Sequence, residues 1–482
     1  MKKILYLLAC TSLLAACGAE TQDSQNEAAH SHDMAKMYKN DQYALKDNEG
    51  LQPLTFPKVL QPTTSDGENV AYTLIAQKGT MIFMDGIKSE TYGYNGDFLG
   101  PTIRLKKGQH VAITLKNDLD EPTTFHWHGL EVAGDVADGG PHHTIKAGQT
   151  TTIHFTVNQD AATLWYHPHP MGSTAKQVYK GLAGLMYIED SYSENLDLPN
   201  NYGKNDLPLI LQDRTFIDGK IQYEDVANTM STLGDTVMIN GKVNPKLTVA
   251  KEKIRLRILN GSNALTYQLQ FNNHMKFQLL ATDGGFLNTA TQMKKLSLSP
   301  GERAEILVDL SAVKNSTITL MNGDTKLLPI DLTGEQHVAS TSSNQLNDRI
   351  IDENLRHKTP DKTITMEGTM NKLVLNGQSF DDKRIDFKQK QGVTEVWEIE
   401  NAISDEGAMA HPFHIHGTQF AVLSVDGQEP PANLQGLKDT ILVQPNQKIR
   451  IAVHFKEKGL YMFHCHILEH EDAGMMGQIK VD

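Results

Sequence analysis

The stretch YMFHCHILEHEDAGMM, Tyr461–Met476, sets one cysteine between two histidines, with a third histidine five residues after the cysteine and a methionine ten after it. In an extended strand, side chains at i and i+2 share a face while i+1 points the other way. His464 and His466 are thereby expected on one face and Cys465 on the other. Period-two patterns recur in RLKKGQHVAITLKND (Arg104–Asp118), TTTIHFTV (Thr150–Val157), LRILNGSN (Leu256–Asn263) and GERAEILVDL (Gly301–Leu310), with Gly, Pro, Asn and Asp at the breaks. Long amphipathic helical patterns are scarce, and the expected class is all-β, as sandwiches or barrels.

Internal similarity sets the domain number. TTFHWHG (Thr123–Gly129) is followed by GQTTTIHF, LWYHPH and GLAGLMYIED; HPFHIHG (His411–Gly417) is followed, at similar spacing, by NQKIRIAVHF, YMFHCH and AGMMGQIKVD. A middle unit carries MINGK, RLRILNGSN and LSPGERAEILVDL but no histidine pairs. The expected organisation is a leader at 1–17, a polar tether at 18–55, and three homologous β-domains at 56–195, 205–340 and 345–482. In the repeat, His411 corresponds to Thr123, Cys465 to Pro168 and His470 to Ser173, so the first unit keeps paired histidines and lacks the cysteine-centred set.

Ten of the twenty histidines fall in four motifs: His126/His128, His167/His169, His411/His414/His416 and His464/His466/His470. Each H-x-H presents two imidazoles on one face, about 7 Å apart along the backbone. Four such pairs from two homologous domains suit several closely spaced copper ions at a domain interface. Cys465, His411 and His470, with Met475 as a weak axial group, form the donor set of a blue-copper electron-transfer site. The sulfur is joined to both flanking imidazoles by a very short covalent path. Zinc, being redox-silent, has no use for a thiolate wired to eight imidazoles.

Composition narrows the setting. A formal charge of −13 over 482 residues argues against a nucleic-acid partner. MKKILYLLACTSLLAAC opens with Lys2 and Lys3, continues through apolar Ile4–Leu14, and is short for a membrane span. Leu14-Ala15-Ala16-Cys17 resembles the lipobox of bacterial lipoproteins, which implies lipid attachment at Cys17; a plain secretory cut near Ala16 is the alternative. Either way an exported protein is expected, at the cell envelope on the lipoprotein reading; with Cys10 lost and Cys17 lipidated on that reading, Cys465 is the one thiol left. The tether holds HSHDMAKM, where His30, His32, Met34 and Met37 could gather copper loosely or serve only as a polar leader.

The motifs HWHG, HPH, HPFHIHG and HCHILEHEDAGMM, in this order, resemble the three-domain multicopper oxidases, the cupredoxin-fold enzymes related to laccases and bacterial copper-efflux oxidases. The resemblance spans about Phe56 to Asp482. It implies three Greek-key cupredoxin barrels and four copper ions. The implied type 1 ligands are His411, Cys465, His470 and Met475, and the implied type 2 ligands His126 and His414. The type 3 ligands would be His128, His167 and His466 for one ion and His169, His416 and His464 for the other. The implied reaction couples four one-electron oxidations at the type 1 site to reduction of O₂ to water. Asp138, with one extra residue before it relative to the family's acid, and Glu471 are the implied proton-handling acids, or else hydrogen-bonding supports of the ligands. Copper-free relatives with structural or division roles have lost ligands; here all twelve ligand positions are filled. A two-domain nitrite reductase uses fewer histidines.

For the electron donor, EHEDAGMM is closest to the copper-efflux type, and Met409, with Asp405 and Glu406, precedes His411. A thioether and carboxylates there could hold a cuprous ion. Against this, the region Ser340–Thr363 lacks the methionine-rich insert of the best-known copper-efflux enzymes, which leaves a laccase-like oxidation of phenols or aromatic amines as the second reading. A non-catalytic copper store is the reading from another class. The chain is expected to act as a monomer with O₂ and either Cu(I) or a small reducing substrate.

Overall fold

The structure, a computed structural model, describes residues 51–482 apart from 85, 229, 335–344, 370–371 and 403–408. The leader, the tether with its HSHDMAKM run, Cys10, Cys17, Asp405 and Glu406 lie outside the described residues.

The chain is almost wholly β, as expected, and each repeat is a pair of sheets sharing one core. In the first unit, β1 (Asn69–Ile82) runs parallel to β2 (His110–Asp118) with Asn69 opposite His110. Val111, Ile113 and Leu115 of β2 face inward while their neighbours are partly exposed, the burial pattern of a half-buried strand. The second sheet is different. There β3 (His126–His128) pairs antiparallel with β4 (Ala162–His167), placing His126 opposite His167, and both strands are buried on both faces. After the short helix α1 (Thr174–Tyr179), β5 (Gly184–Glu189) completes the antiparallel run.

The middle unit is built on β6 (Asp206–Arg214) and β7 (Lys253–Asn260), which are parallel, with β8 (Arg303–Asp309) antiparallel to β7. Leu209, Leu256, Ile258 and Ile306 fill its core. In the last unit, β9 (Lys362–Thr369) belongs to one sheet. The other sheet holds β10 (His411–Ile415), β11 (Thr440–Val443) and β12 (Gly459–Cys465); after the helix α2 (Leu468–Asp472) comes β13 (Met476–Val481). Like β3 and β4, β10 is buried throughout. One face of these strands meets its own core and the other meets the opposite unit, so their solvent-free outer faces are free to carry chemistry. The two short helices clasp the outer units together: Asp472 accepts the backbone N–H groups of Thr174 and Ala175, each at 2.9 Å.

Candidate metal centres

Alternation along β12 divides its side chains as the sequence implies. Cys465 is buried in the core of the last unit, with its Sγ 3.5 Å from Nδ1 of His411 and 3.5 Å from Nδ1 of His470. The three atoms form a group able to hold one ion. The turn that follows brings Met475 back: its carbonyl accepts the Cys465 N–H at 3.1 Å, its N–H reaches the His470 carbonyl at 2.9 Å, and it lies in the same core. Burial pushes the Cys465 thiol far above its ordinary range, so a bound cation is what would hold it as thiolate. His470 is oriented from the middle unit, its Nε2 donating to the Met230 carbonyl at 2.7 Å. His411 packs its ring edge on β9, where a Cβ at Gly368 would fall 2.2 Å from His411 Cε1.

His464 and His466 turn the other way, toward the first unit. His464 Nε2 lies 3.2 Å from His169 Nε2 and 3.1 Å from His416 Nε2. This convergence of three nitrogens from both outer units matches one expected type 3 set. His126, His414 and His416 form a second group, and His126, His128 and His167 a third. His466 sits beside the latter, its ring centre 5.0 Å from His128 and 5.5 Å from His167. All eight imidazoles of the pairs therefore meet at one interface.

Seven of the eight imidazoles are held by one nitrogen and offer the other, as metal-binding histidines do, His466 being the exception. His126 Nδ1 donates to the Asp138 carbonyl, His414 Nδ1 to the Asp439 carbonyl, and His128 Nε2 to Asp439 Oδ1, at 2.8–2.9 Å. His167 Nδ1 donates to the Pro168 carbonyl at 2.8 Å, and its counterpart His464 Nδ1 to the Cys465 carbonyl at 3.0 Å. The opposite nitrogens of His126, His128, His167 and His414, and both nitrogens of His466, are buried without a hydrogen-bond partner. Unpartnered buried nitrogens cost free energy unless something binds them. Burial holds His126, His464 and His466 down at about 3, so the rings are neutral donors at physiological pH. A thiolate with two imidazoles, beside a cluster of neutral imidazoles, is a donor set that suits copper.

Both acids singled out in the sequence flank the cluster. Asp138 Oδ2 accepts from His416 Nδ1 at 2.9 Å and from the Gly140 N–H at 3.2 Å; Oδ1 has no partner, and burial pushes the carboxyl up to about 8. Glu471 lies 3.2 Å from His169 Nδ1 and 3.3 Å from His464 Nδ1, and burial pushes its carboxyl well up. Met409 is half-buried against the core of the last unit, and its carbonyl accepts from Asn401 Nδ2 at 2.6 Å. Where the first unit has no type 1 set, Thr123 donates to Gln177 Oε1 at 2.7 Å, filling the equivalent place with a closed polar pair.

Family profiles described as multicopper oxidase match residues 75–193, 206–334 and 353–482, one per repeat. The chain belongs to the multicopper oxidase family. It is 52% identical to the multicopper oxidase mco of Staphylococcus haemolyticus over 93% of this chain and 97% of that one. Among solved structures, it is similar to a laccase from Pediococcus acidilactici (40% identity, TM-score 0.88, 92% and 96% covered). It is also similar to a multicopper oxidase from Campylobacter jejuni described as a metallo-oxidase (32%, 0.77, 92% and 98%). The chain is thus an O₂-reducing oxidoreductase with cupredoxin-type domains and copper-binding histidine clusters.

In this multicopper oxidase, sequence reading missed Asp439, Arg303 and Met230. Asp439 is within ligand distance of His128 and His414, yet its carboxylate is taken up by donors: Arg303 Nη1 and Nη2 at 2.7 and 2.6 Å, Gln419 Nε2 at 2.9 Å and Thr440 Oγ1 at 2.9 Å. It anchors imidazoles rather than a metal. Gly129 of HWHG makes room for this pair, since a Cβ there would lie 2.5 Å from Asp439 Oδ2 and 2.7 Å from Arg303 Nη2. That glycine, with a φ of +91°, was the one local signal that something packs against the motif.

Proposed function

We propose that this multicopper oxidase binds four copper ions and oxidises Cu(I) to Cu(II), as part of copper tolerance at the cell envelope. Bound copper would supply the one-electron chemistry, taking electrons singly from the donor and passing them, four per molecule, to O₂ with formation of two waters. His411, Cys465, His470 and Met475 would hold the type 1 ion, His126 and His414 the type 2 ion, and the remaining six imidazoles the type 3 pair.

The observation that carries the choice of donor is closure. His411 and His470 are both fully buried, and His470 Nε2 is sealed by the Met230 carbonyl. Three cavities of about 370–400 Å³ among the described residues are lined by other parts of the fold and by none of the type 1 ligands. A planar phenol needs a cleft against an imidazole edge; a cuprous ion needs only a thioether and a few oxygens. Met409, two residues before His411, supplies the thioether, and Asp405 and Glu406 are proposed to supply carboxylates. The likeness to the Campylobacter jejuni metallo-oxidase agrees with a metal donor. Laccase-like oxidation is the second reading, favoured by the likeness to the Pediococcus acidilactici laccase.

The protein's own groups would then do four things. Cys465 carries an electron from one face of β12 to the imidazoles on the other. The hydrogen bonds from carbonyls fix the ring tautomers. Asp138, carrying a proton below about pH 8, and Glu471, between His169 and His464, deliver protons toward the oxygen being reduced. Burial keeps bulk water from the cluster.

Lipid attachment at Cys17 would tether the monomer to the membrane, and a Cys17→Ser variant is then recovered in the soluble fraction. For the donor, O₂ uptake by the copper-loaded protein is compared with Cu(I), Fe(II) and a phenol. Cu(I) is expected to give the highest kcat/KM. Faster turnover of the phenol replaces this reading with the laccase one, and copper binding without O₂ uptake replaces both with a store.

A further inference from the structure

The middle domain supplies none of the implied copper ligands, yet it reaches the trinuclear site. Its Ser299–Arg303 turn packs on the cluster: a Cβ at Gly301 would fall 3.0 Å from Cδ2 and Nε2 of His466. Two residues on, Arg303 opens β8 and is fully buried. Every donor of its guanidinium is engaged. Nε donates to the Thr163 carbonyl at 3.1 Å, Nη1 to the Gly301 carbonyl at 3.0 Å and Asp439 Oδ1 at 2.7 Å, and Nη2 to the Asp283 carbonyl at 3.1 Å and Asp439 Oδ2 at 2.6 Å. One side chain of the middle domain thus joins a strand of the first domain to a carboxylate of the last.

Asp439 holds two imidazoles, one through its carboxylate and one through its backbone carbonyl. Asp439 Oδ1 takes the N–H of His128 Nε2 at 2.9 Å, and the Asp439 carbonyl takes that of His414 Nδ1 at 2.8 Å. The two rings are stacked, with centres 3.7 Å apart and planes 13° from parallel. With Nε2 committed to Asp439, His128 is left with Nδ1 as its donor atom, and Nδ1 has no partner.

We propose that Arg303 is a positioning residue for the trinuclear copper site: its forked grip on Asp439 fixes the tautomer and tilt of His128 and the placement of His414. The inference rests on the four-copper reading above. A bidentate guanidinium–carboxylate pair fixes the plane of the carboxylate, which an ammonium cannot do. The middle domain is then a working part of the copper site, since the ring geometry depends on how it docks.

The test uses copper-loaded Arg303→Lys, Arg303→Gln and the pair Arg303→Gln/Asp439→Asn. The pair removes one buried charge of each sign and leaves the balance around Asp283, Glu302 and Lys438 as in the parent, so it should fold even where the single Gln variant does not. Readouts are copper per chain, the blue absorbance of the type 1 site, the near-ultraviolet absorption of a coupled copper pair, the paramagnetic resonance of the type 2 ion, and the melting temperature. The expected result is unchanged blue absorbance per chain with trinuclear copper held about 10–100-fold more weakly, the near-ultraviolet band lost or shifted, and the Lys variant failing to restore it. Overturning it would be a variant, Lys or pair, with the wild-type trinuclear spectrum and copper content, whatever its melting temperature. Wild-type protein that takes up no copper would instead remove the four-copper reading itself, so the two failures are distinct.

Discussion

Cys465 stands opposite Phe413 across the antiparallel pair of β10 and β12, and both side chains lie in the core of the last domain. The next residue pair in the ladder is His464 opposite His414, and those side chains face the first domain. A one-residue step along a strand therefore crosses from one metal centre to the other. The pleat does what a longer connection would otherwise have to do.

Asp138 touches the cluster without being able to donate a metal-ligating nitrogen. In an Asp138→Asn variant, the amide oxygen can still accept from His416 Nδ1, so the site keeps its shape but loses the group that carries a proton below about pH 8. Steady-state O₂ uptake is expected to fall by about 10²-fold or more, while anaerobic bleaching of the blue colour by the donor keeps its rate. Equal losses in both would show that Asp138 acts on electron transfer or on folding.

Gly368 is the place where β9 lets His411 approach. Gly368→Ala puts a methyl group 2.3 Å from His411 Nε2, and relief requires the ring or the strand to move. The expected outcome is a loss of about 1–3 kcal/mol in stability and a weakened or shifted blue absorbance, with the trinuclear spectrum retained. An unchanged blue band would show that the strand yields instead of the ligand.

How much of this was legible beforehand follows from sequence separation. The three-fold repeat, the pairing of histidines and the separation of Cys465 from His464 and His466 are local patterns, so they can be read along the chain. Arg303 and Asp439, 136 residues apart, have no such pattern, and neither does the Met230 carbonyl, because backbone atoms leave no mark on composition. Met409 reads in the sequence either as a group that could hold a cuprous ion or as packing; its side chain lies partly on the core, and a single methionine carries no pattern that separates the two roles. Glu469 is a further case: it accepts from Asn263 Nδ2 at 2.8 Å, and Asn263 also donates to the Ala175 carbonyl at 3.1 Å, tying three domains together beside His470.

A buried ion cluster between β7 and β8 of the middle domain predicts an acid limit to stability. Burial favours a protonated Glu305, but Arg255 and Arg257 outweigh it and hold the carboxyl at about 2. Because this lies below the ordinary value of 4.5, the contribution is fully present above pH 4.5 and is lost as pH falls toward 2. It amounts to about 3 kcal/mol. Melting temperature should drop across that window, and Glu305→Gln, which strands buried guanidinium charge, should cost about 3–5 kcal/mol at neutral pH while flattening the drop. A variant as acid-sensitive as the parent would place the limit elsewhere.

The most direct test of the account is the absorption and turnover of copper-loaded Cys465→Ser. Removing the sulfur should abolish the blue colour of the copper–thiolate site and all oxidation of Cu(I), while the near-ultraviolet band of the histidine cluster persists. A colourless variant that still oxidised Cu(I) at the parent rate, or a blue one, would contradict the assignment of Cys465 as the link between the two faces of its strand.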